Sequence, residues 1–290
     1  MEQEILEHSA QNANSSSAVE DVSERGPRSV YFISDMHLGA ATFNNPLDYE
    51  RRVVRFLDSI KSDCQALYLL GDVIDYWFEY KYVVPRGFTR FLGKIGEFTD
   101  AGIEVHWFTG NHDIWIFDYI EKETGAKVHH AGGLFQIQNK QCYLAHGDGL
   151  GNDTFAYKCM TRFFHSRWCQ RVFSWIHPDL ATAFAQRWST HSRVTGGKFP
   201  DFLGEEKEYQ VVFAKKYMKE NPAPDYFIFG HRHIMLDLML SRQTRLMIIG
   251  DWIQHFSYAI MKDGQLSLEQ FEYEESQYEQ ETRNGVSICF

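Results

Sequence analysis

The stretch Ala66-Leu67-Tyr68-Leu69-Leu70-Gly71-Asp72-Val73-Ile74-Asp75 decides how the chain folds. Its first half is apolar without alternation, the pattern of a strand buried on both faces in a parallel sheet. The run stops at a glycine and then delivers two carboxylates three residues apart. Open α/β sheets place ligands beyond the carboxyl ends of their strands, so Asp72 falls on the sheet rim. Alone, a Gly-Asp pair after an apolar run is an ordinary turn. Four further runs end in the same way. Val30–Ser34 leads into Asp35-Met36-His37, and Val105–Thr109 into Gly110-Asn111-His112-Asp113. Cys142–Ala145 leads into His146-Gly147-Asp148, and Tyr226–Phe229 into Gly230-His231-Arg232-His233. Strand ends that all bear Asp, Asn or His read together as one metal site with Asp72 at its centre.

Around these ends the chain alternates. Amphipathic helices are expected over Leu47–Ile60 and Phe88–Ala101, the second closed by Gly102, which gives βαβ units and a parallel sheet. A short helix runs from Asp113 to Lys122, followed by strands at Phe135–Gln138 and Cys142–Ala145 around a polar turn. From Gly149 to about Asn221 the pattern is helical: Met160, Phe164, Trp168, Val172 and Ile176 recur every four residues, and Phe163, Phe173 and Trp175 widen that face. Strand patterns return at Ile234–Leu240, Arg245–Ile249, Phe256–Met261 and Gln265–Gln270, the last two flanking the hairpin turn Lys262-Asp263-Gly264. Residues 1–27 read as a disordered tail and 28–271 as one α/β domain with a helical insertion at about 150–224; 272–290 read as a loose acidic tail.

Composition narrows the function. A formal charge of −10 opposes non-specific binding to nucleic acid. That charge is unevenly placed, because residues 150–224 hold eleven Lys and Arg against seven Asp and Glu. A positive insert on an acidic body points to an anionic ligand or surface. No run of about 18 apolar residues is present to span a bilayer, and the first residues lack the basic and apolar regions of a signal peptide. Cys64, Cys142, Cys159, Cys169 and Cys289 lack zinc spacing and fit reduced thiols in a cytoplasm.

Mn²⁺, Fe²⁺ and Zn²⁺ accept mixed carboxylate, amide and imidazole ligands. The x-spacing in Asp35-Met36-His37 and His231-Arg232-His233 lets both side chains leave an extended loop on one side. One carboxylate, Asp72, can bridge two ions about 3.5–4 Å apart. The first site is then Asp35, His37, Asp72 and His233, and the second Asp72, Asn111, His146 and His231. His112 stands beside them as proton donor or phosphoryl-oxygen stabiliser. Asp113, Asp148 and Asp251 read equally well as loop braces.

The ordered set Asp35-x-His37, Gly71-Asp72-x-x-Asp75, Gly110-Asn111-His112-Asp113, His146-Gly147-Asp148 and Gly230-His231-x-His233 resembles the calcineurin-like metallophosphoesterase superfamily, over residues 30–250. The resemblance implies an α/β fold of αββα type, a two-layered β-sandwich flanked by helices, in place of a single parallel sheet. It also implies that Asp75 orients His112 and that water activated by two metals is the nucleophile. Within the superfamily, Gly71-Asp72-Val73-Ile74-Asp75-Tyr76-Trp77-Phe78, the run His146-Gly147-Asp148-Gly149-Leu150-Gly151 and the helical insert resemble the UDP-2,3-diacylglucosamine hydrolases of lipid A biosynthesis. Gly250-Asp251-Trp252-Ile253 is similar to the form found in the Bacteroidetes lineage. That family cleaves the pyrophosphate of a UDP-linked diacyl sugar lipid at the α-phosphorus, typically with Mn²⁺, peripherally on the cytoplasmic face of the inner membrane. The proteobacterial members carry Arg where this chain has His112, which keeps the general phosphoesterase pattern.

The insert bears on a lipid independently. Phe155, Phe163, Trp168, Trp175, Phe184 and Trp188 are interleaved with Arg162, Arg167, Arg171 and Arg187. A diacyl substrate with a diphosphate needs an apolar chamber beside basic groups, and basic aromatic helices suit a membrane surface. The insert therefore reads as a substrate-covering cap, with Ser192, Arg193 and Lys207 as groups reaching the diphosphate or sugar; the plain alternative is a helical subdomain filling its own core. The rival functions are a soluble phosphodiesterase or nucleotide phosphatase with the same metals, and a catalytically silent metal-binding scaffold.

Overall fold

The computed structural model describes residues 28–41, 43, 45–151, 154, 159, 162–195 and 201–272. The tail at 1–27 and the chain beyond Glu272 lie outside the described residues. The first half supplies β1 (Ser29–Ile33), α1 (Pro46–Ile60), β2 (Cys64–Leu70), α2 (Thr89–Asp100), β3 (Glu104–Phe108), α3 (Tyr119–Thr124) and β4 (Lys127–His129). Next come β5 (Gly133–Ile137), β6 (Lys140–Ala145), and helices α4 (Arg167–Phe173), α5 (Pro178–Thr195) and α6 (Tyr209–Glu220). The chain closes with β7 (Tyr226–Phe229), β8 (Met235–Met239), β9 (Arg245–Ile249), β10 (Ser257–Lys262) and β11 (Gln265–Gln270).

These strands form two mixed sheets, one ordered β11-β10-β1-β2-β3-β4 and the other β5-β6-β7-β9-β8. Strands β1 to β4 run parallel, as do β6, β7 and β9, and antiparallel strands flank each parallel core. The single parallel sheet expected from the residues alone is thus two sheets packed face to face, the αββα sandwich that the resemblance implies. Alternation along each strand explains the packing. Val30, Phe32, Ala66, Tyr68 and Leu70 point inward to Ile228, Met247 and Ile249 of the other sheet. Tyr31, Ile33, Leu67 and Leu69 point outward to Val53, Phe56, Phe91 and Phe98 of α1 and α2. On the far side Phe227 and Phe229 pack on Val211 and Ala214 of α6. Each large apolar side chain so buried contributes roughly 1.5–3 kcal/mol.

Local signals set the element ends. Asn45 caps α1, its side chain accepting from the Asp48 N–H at 3.3 Å ahead of Pro46. Helix α2 has no cap of its own; the Glu50 carboxylate of α1 accepts from the N–H groups of Arg90 and Phe91 at 3.0 and 3.1 Å. Gly102 has the left-handed φ of 75° expected after that helix. Two expectations change. The helix sought between Asp113 and Lys122 starts only at Tyr119. The four-residue periodicity from Met160 to Ile176 is not one helix: the Phe164 carbonyl is taken by the Trp115 indole N–H at 3.0 Å, the chain turns at 165–166, and α4 begins anew. Glu272 is tied to α1 through Arg55 and Arg52 at 3.1 and 3.4 Å.

Candidate metal centre

The rim where β1, β2, β3, β6 and β7 end is shared by both sheets, and the motif residues leave it in an unusual backbone state. Asp35, His37, Asp72, His231 and His233 have φ of 54°, 46°, 50°, 69° and 53°. For non-glycine residues this left-handed region costs on the order of 1–3 kcal/mol each and clusters at functional sites. Backbone hydrogen bonds hold it: Asp35 N–H to Gly71 O at 3.1 Å, His37 N–H to Asp72 O at 2.9 Å, and Gly230 N–H to His146 O at 2.9 Å. Two glycines are required by close approach. A Cβ on Gly110 would lie 2.2 Å from Asp72 Oδ1, and one on Gly230 would lie 1.9 Å from Ser34 Oγ and 2.6 Å from Asp35 Oδ2.

The side chains converge in three overlapping groups, each with ligand atoms within 4.8 Å of one another: Asp35, His37 and His233; His37, Asp72 and His112; and Asp72, His146 and His231. His233 Nε2 lies 3.3 Å from Asp35 Oδ1 and 3.4 Å from His37 Nε2. Asp72 Oδ2 is 3.7 Å from His37 Nε2 and 3.3 Å from His146 Nε2, so it stands between the two ends of the cluster. Asn111 Oδ1 joins at 3.4 Å from His146 Nε2. All seven residues read from the sequence as ligands are therefore brought together. A divalent cation fits them on one direct observation: Asp35 Oδ1 is fully buried and accepts no hydrogen bond. A buried carboxylate oxygen left so is costly, and a cation satisfies it. Mixed oxygen and imidazole donors suit borderline divalent ions.

Outer contacts aim the imidazoles. Nδ1 of His146 donates to Leu70 O at 2.8 Å, and Nδ1 of His233 donates to Asp251 Oδ2 at 3.1 Å, which leaves each Nε2 facing the centre. Asp75 Oδ1 takes the Nδ1 proton of His37 at 3.1 Å. Its distance to His112 Nδ1 is 3.5 Å, and His112 donates instead to the Asp75 backbone carbonyl at 2.9 Å. Asp75, implied by the resemblance to orient His112, meets it through its main-chain carbonyl at hydrogen-bond distance and its carboxylate at ion-pair distance, and that carboxylate lies closer still to His37. Of the three acids read as loop braces, Asp113 accepts from the N–H groups of Gly110 and Val73 at 2.6 and 3.1 Å. Asp251 braces a loop and also holds His233, a second role that the sequence reading missed; the spacing of Gly250-Asp251-Trp252 gives no sign of it.

Charge follows from this packing. Burial opposes ionisation of Asp72, but the neighbouring His146, His112 and His37 hold it well below the usual carboxylate range. Burial likewise opposes the charged form of His146, and Asp72 outweighs it, raising that imidazole well above its ordinary value. Burial, aided by His146, pushes His231 down to about 3. Burial and Asp72 push Asp113 up to about 6.

Beside the cluster, Asp75 also lines a cleft of about 810 Å³. Its walls are the start of α1, the loop from Tyr80 to Phe88 and the start of α5 at His177–Ala183. The insert also docks on the domain through Phe173, whose ring lies 4.5 Å from Trp115 and 4.9 Å from Phe78. Ser192 and Arg193 belong to α5, and their side chains lie outside the described residues, as do Phe155, Met160 and the side chain of Trp188. Lys207 is exposed on the turn before α6 and makes no hydrogen bond to the cluster. No helix among the described residues is long and apolar enough to cross a membrane. Cys64, Cys142, Cys159 and Cys169 are free thiols.

The family model for calcineurin-like phosphoesterases matches residues 28–235. A UDP-2,3-diacylglucosamine hydrolase of Porphyromonas gingivalis is 41% identical over 255 residues, covering 84% of this chain and 97% of that protein. Proteins of the same name from Haemophilus influenzae Rd and Neisseria gonorrhoeae are 26% and 25% identical, covering 80% and 82% of this chain and 94% and 95% of their own. Phosphoesterases of this kind use two metal ions, for which the structure holds candidate groups of Asp and His. The chain is accordingly a hydrolase of phosphate ester or anhydride bonds and belongs to the calcineurin-like phosphoesterases.

Proposed function

We propose that the chain hydrolyses the pyrophosphate bond of UDP-2,3-diacylglucosamine, giving UMP and 2,3-diacylglucosamine 1-phosphate. The observation that carries this reading is the cleft of about 810 Å³ that begins at Asp75, in contact with the cluster, and is walled by the helical insert. Leu38, Leu47, Val83, Val84 and Phe88 make it largely apolar, and its size lies in the range of roughly 300–1,000 Å³ used for small-molecule ligands. A small diester has no use for such a chamber; acyl chains do. The names of the relatives support the same substrate.

In this reading Asp35, His37, Asp72 and His233 hold one divalent ion, and Asp72, Asn111, His146 and His231 hold the other. When bound, such a pair acts as Lewis acid on phosphoryl oxygens and lowers the pKa of water. The protein's own work is positioning. Asp75 and Asp251 keep His37 and His233 presenting Nε2. The low pKa of His231 keeps it neutral and available as a ligand at every working pH. His112, fixed through its Nδ1 to the Asp75 carbonyl, directs Nε2 to a phosphoryl oxygen, where it donates a hydrogen bond to developing negative charge. Asn111 anchors the same edge.

Mn²⁺ is the ion proposed, with Fe²⁺ and Zn²⁺ as the other borderline choices. We assign the insert at about 150–224 as the cap, with Ser192, Arg193 and Lys207 reaching the sugar or diphosphate. Trp168 and Trp175 are 69% and 81% exposed on or beside α4, next to exposed Arg167 and Arg171. Exposed tryptophans interleaved with arginines match a peripheral membrane surface, so the protein works on the cytoplasmic face of the inner membrane, where a diacyl substrate resides.

The test is turnover of UDP-2,3-diacylglucosamine with Mn²⁺, beside a generic small phosphodiester and UDP-sugars without acyl chains. Preference for the lipid, with solvent ¹⁸O appearing in UMP, is expected. Equal or better turnover of the small diester would leave the metal chemistry standing and return the protein to the soluble phosphodiesterase reading.

A further inference from the structure

On the His231 side of the cluster, away from the apolar cleft, lies a second recess of about 220 Å³. It is built by the glycine-rich run after His146, which no metal ligand requires. Gly147, Gly149 and Gly151 have φ of 114°, 68° and 71°. A Cβ on Gly147 would lie 2.0 Å from Gln210 Nε2, and one on Gly151 would lie 2.5 Å from Tyr209 O. The alternating glycines therefore bring the loop backbone against the first turn of α6, with the recess between loop and helix.

The walls have a specific chemistry. Tyr209 and Leu203 are half exposed, at 51% and 52%, and line the recess with flat apolar surface. Gln210 is buried; its Nε2 donates to Gly230 O at 2.9 Å, and its Oε1 accepts no hydrogen bond. Arg232 is held rigidly by the buried Glu208, Nε to Oε1 at 2.6 Å and Nη2 to Oε2 at 3.3 Å. A half-exposed aromatic residue and a fixed guanidinium beside a proposed metal ligand describe a place for a flat ring attached to a phosphate.

We propose that this recess receives the nucleoside end of the substrate, with the pyrimidine base stacked on Tyr209. The inference rests on the reading above and deepens it. Its volume is below that of typical drug-sized pockets, roughly 300 Å³ and upward, so it takes one base and its sugar and excludes two acyl chains. The two recesses, a small one at His231 and a large one at Asp75, share no lining residue and give the two halves of a nucleotide-linked lipid separate places on either side of its diphosphate.

The experiment is calorimetric binding of UMP to the Mn²⁺-loaded protein, wild type against Tyr209→Ala and Tyr209→Phe, with 2,3-diacylglucosamine 1-phosphate titrated in parallel. Loss of one base–aromatic stack predicts roughly 5- to 150-fold weaker UMP binding for Tyr209→Ala, near-wild-type binding for Tyr209→Phe, and unchanged binding of the lipid phosphate. Wild-type UMP affinity in Tyr209→Ala overturns the inference, as does a parallel loss of lipid-phosphate binding. A wild type that hydrolyses the lipid yet does not bind UMP overturns the recess alone. A wild type that binds UMP through Tyr209 but prefers a small diester supports the recess and removes the lipid.

Discussion

Replacing Asp251 with asparagine tests whether a residue outside the ligand set governs metal affinity. Oδ1 of Asp251 accepts from the N–H groups of Ile253, Gln254 and His255 at 3.1, 2.8 and 3.1 Å. Oδ2 takes the Nδ1 proton of His233 at 3.1 Å. Asparagine keeps an oxygen for the three backbone donors and turns an NH₂ toward His233. Two donors then face each other, and the imidazole resolves the conflict by moving its proton to Nε2, the nitrogen 3.3 Å from Asp35 Oδ1. A protonated Nε2 has no lone pair for a cation. A hydrogen bond to a charged group is worth about 1.5–3 kcal/mol, and loss of an outer carboxylate costs roughly 10- to 100-fold in metal affinity. The two figures agree, because about 1.4 kcal/mol is tenfold. Asp251→Asn is therefore expected to weaken Mn²⁺ binding at the His233 position roughly 10- to 100-fold and to leave the other position unchanged. Two-site calorimetry reads this directly. Wild-type affinity at both positions, in a variant that remains folded, refutes the argument.

Asp72→Ala is expected to lose both ions and nearly all activity, since Asp72 faces both ends of the cluster; elemental analysis showing two bound ions in that variant contradicts the bridging role. His112→Ala is expected to retain both ions while kcat falls roughly 10²-fold or more, the loss from removing one positioned donor, and an unchanged kcat takes His112 out of the mechanism. In the metal-free protein His231 is held at about 3, below its unfolded value. Between roughly 6.5 and 3 the unfolded chain binds a proton there that the folded chain refuses, so this group's stabilisation is complete above that window and is lost as pH falls through it. An NMR titration of the His231 ring with a midpoint near its ordinary value contradicts this.

The strand ends were legible because each apolar run is buried on both faces and stops at the rim, where polar residues have only ligands or turns to serve. The same runs could not reveal whether helices or a second sheet cover each face, since Phe32 against a strand and Ile33 against a helix look alike in sequence; the sandwich came from the resemblance. Strand β4 carries three residues, Lys127-Val128-His129, too few for any period to register. The helical break at 165–166 follows from a tertiary bond, Trp115 to the Phe164 carbonyl, that periodicity cannot contain. How Asp75 divides its contacts could not be read from the sequence, because His37 and His112 lie 38 and 37 positions away and 4.7 Å apart ring to ring, a division settled only by packing.

The seam position of the centre has a mechanical consequence. Asp35 and Asp72 leave strands of one sheet, and His146, His231 and His233 leave strands of the other. Any cation shared among them is a rivet through both layers at one rim, while the opposite rim is held by packing and by hydrogen bonds such as Tyr226 Oη to Gly264 O at 3.0 Å and Arg245 Nη1 to Leu266 O at 2.9 Å. Saturation at 100 times Kd adds about 2.7 kcal/mol per site to global stability, and the gain is local in origin. Chelation is then expected to unzip the sandwich from the catalytic edge, with amide exchange rising first at the ends of β1 and β7 and last at the far rim.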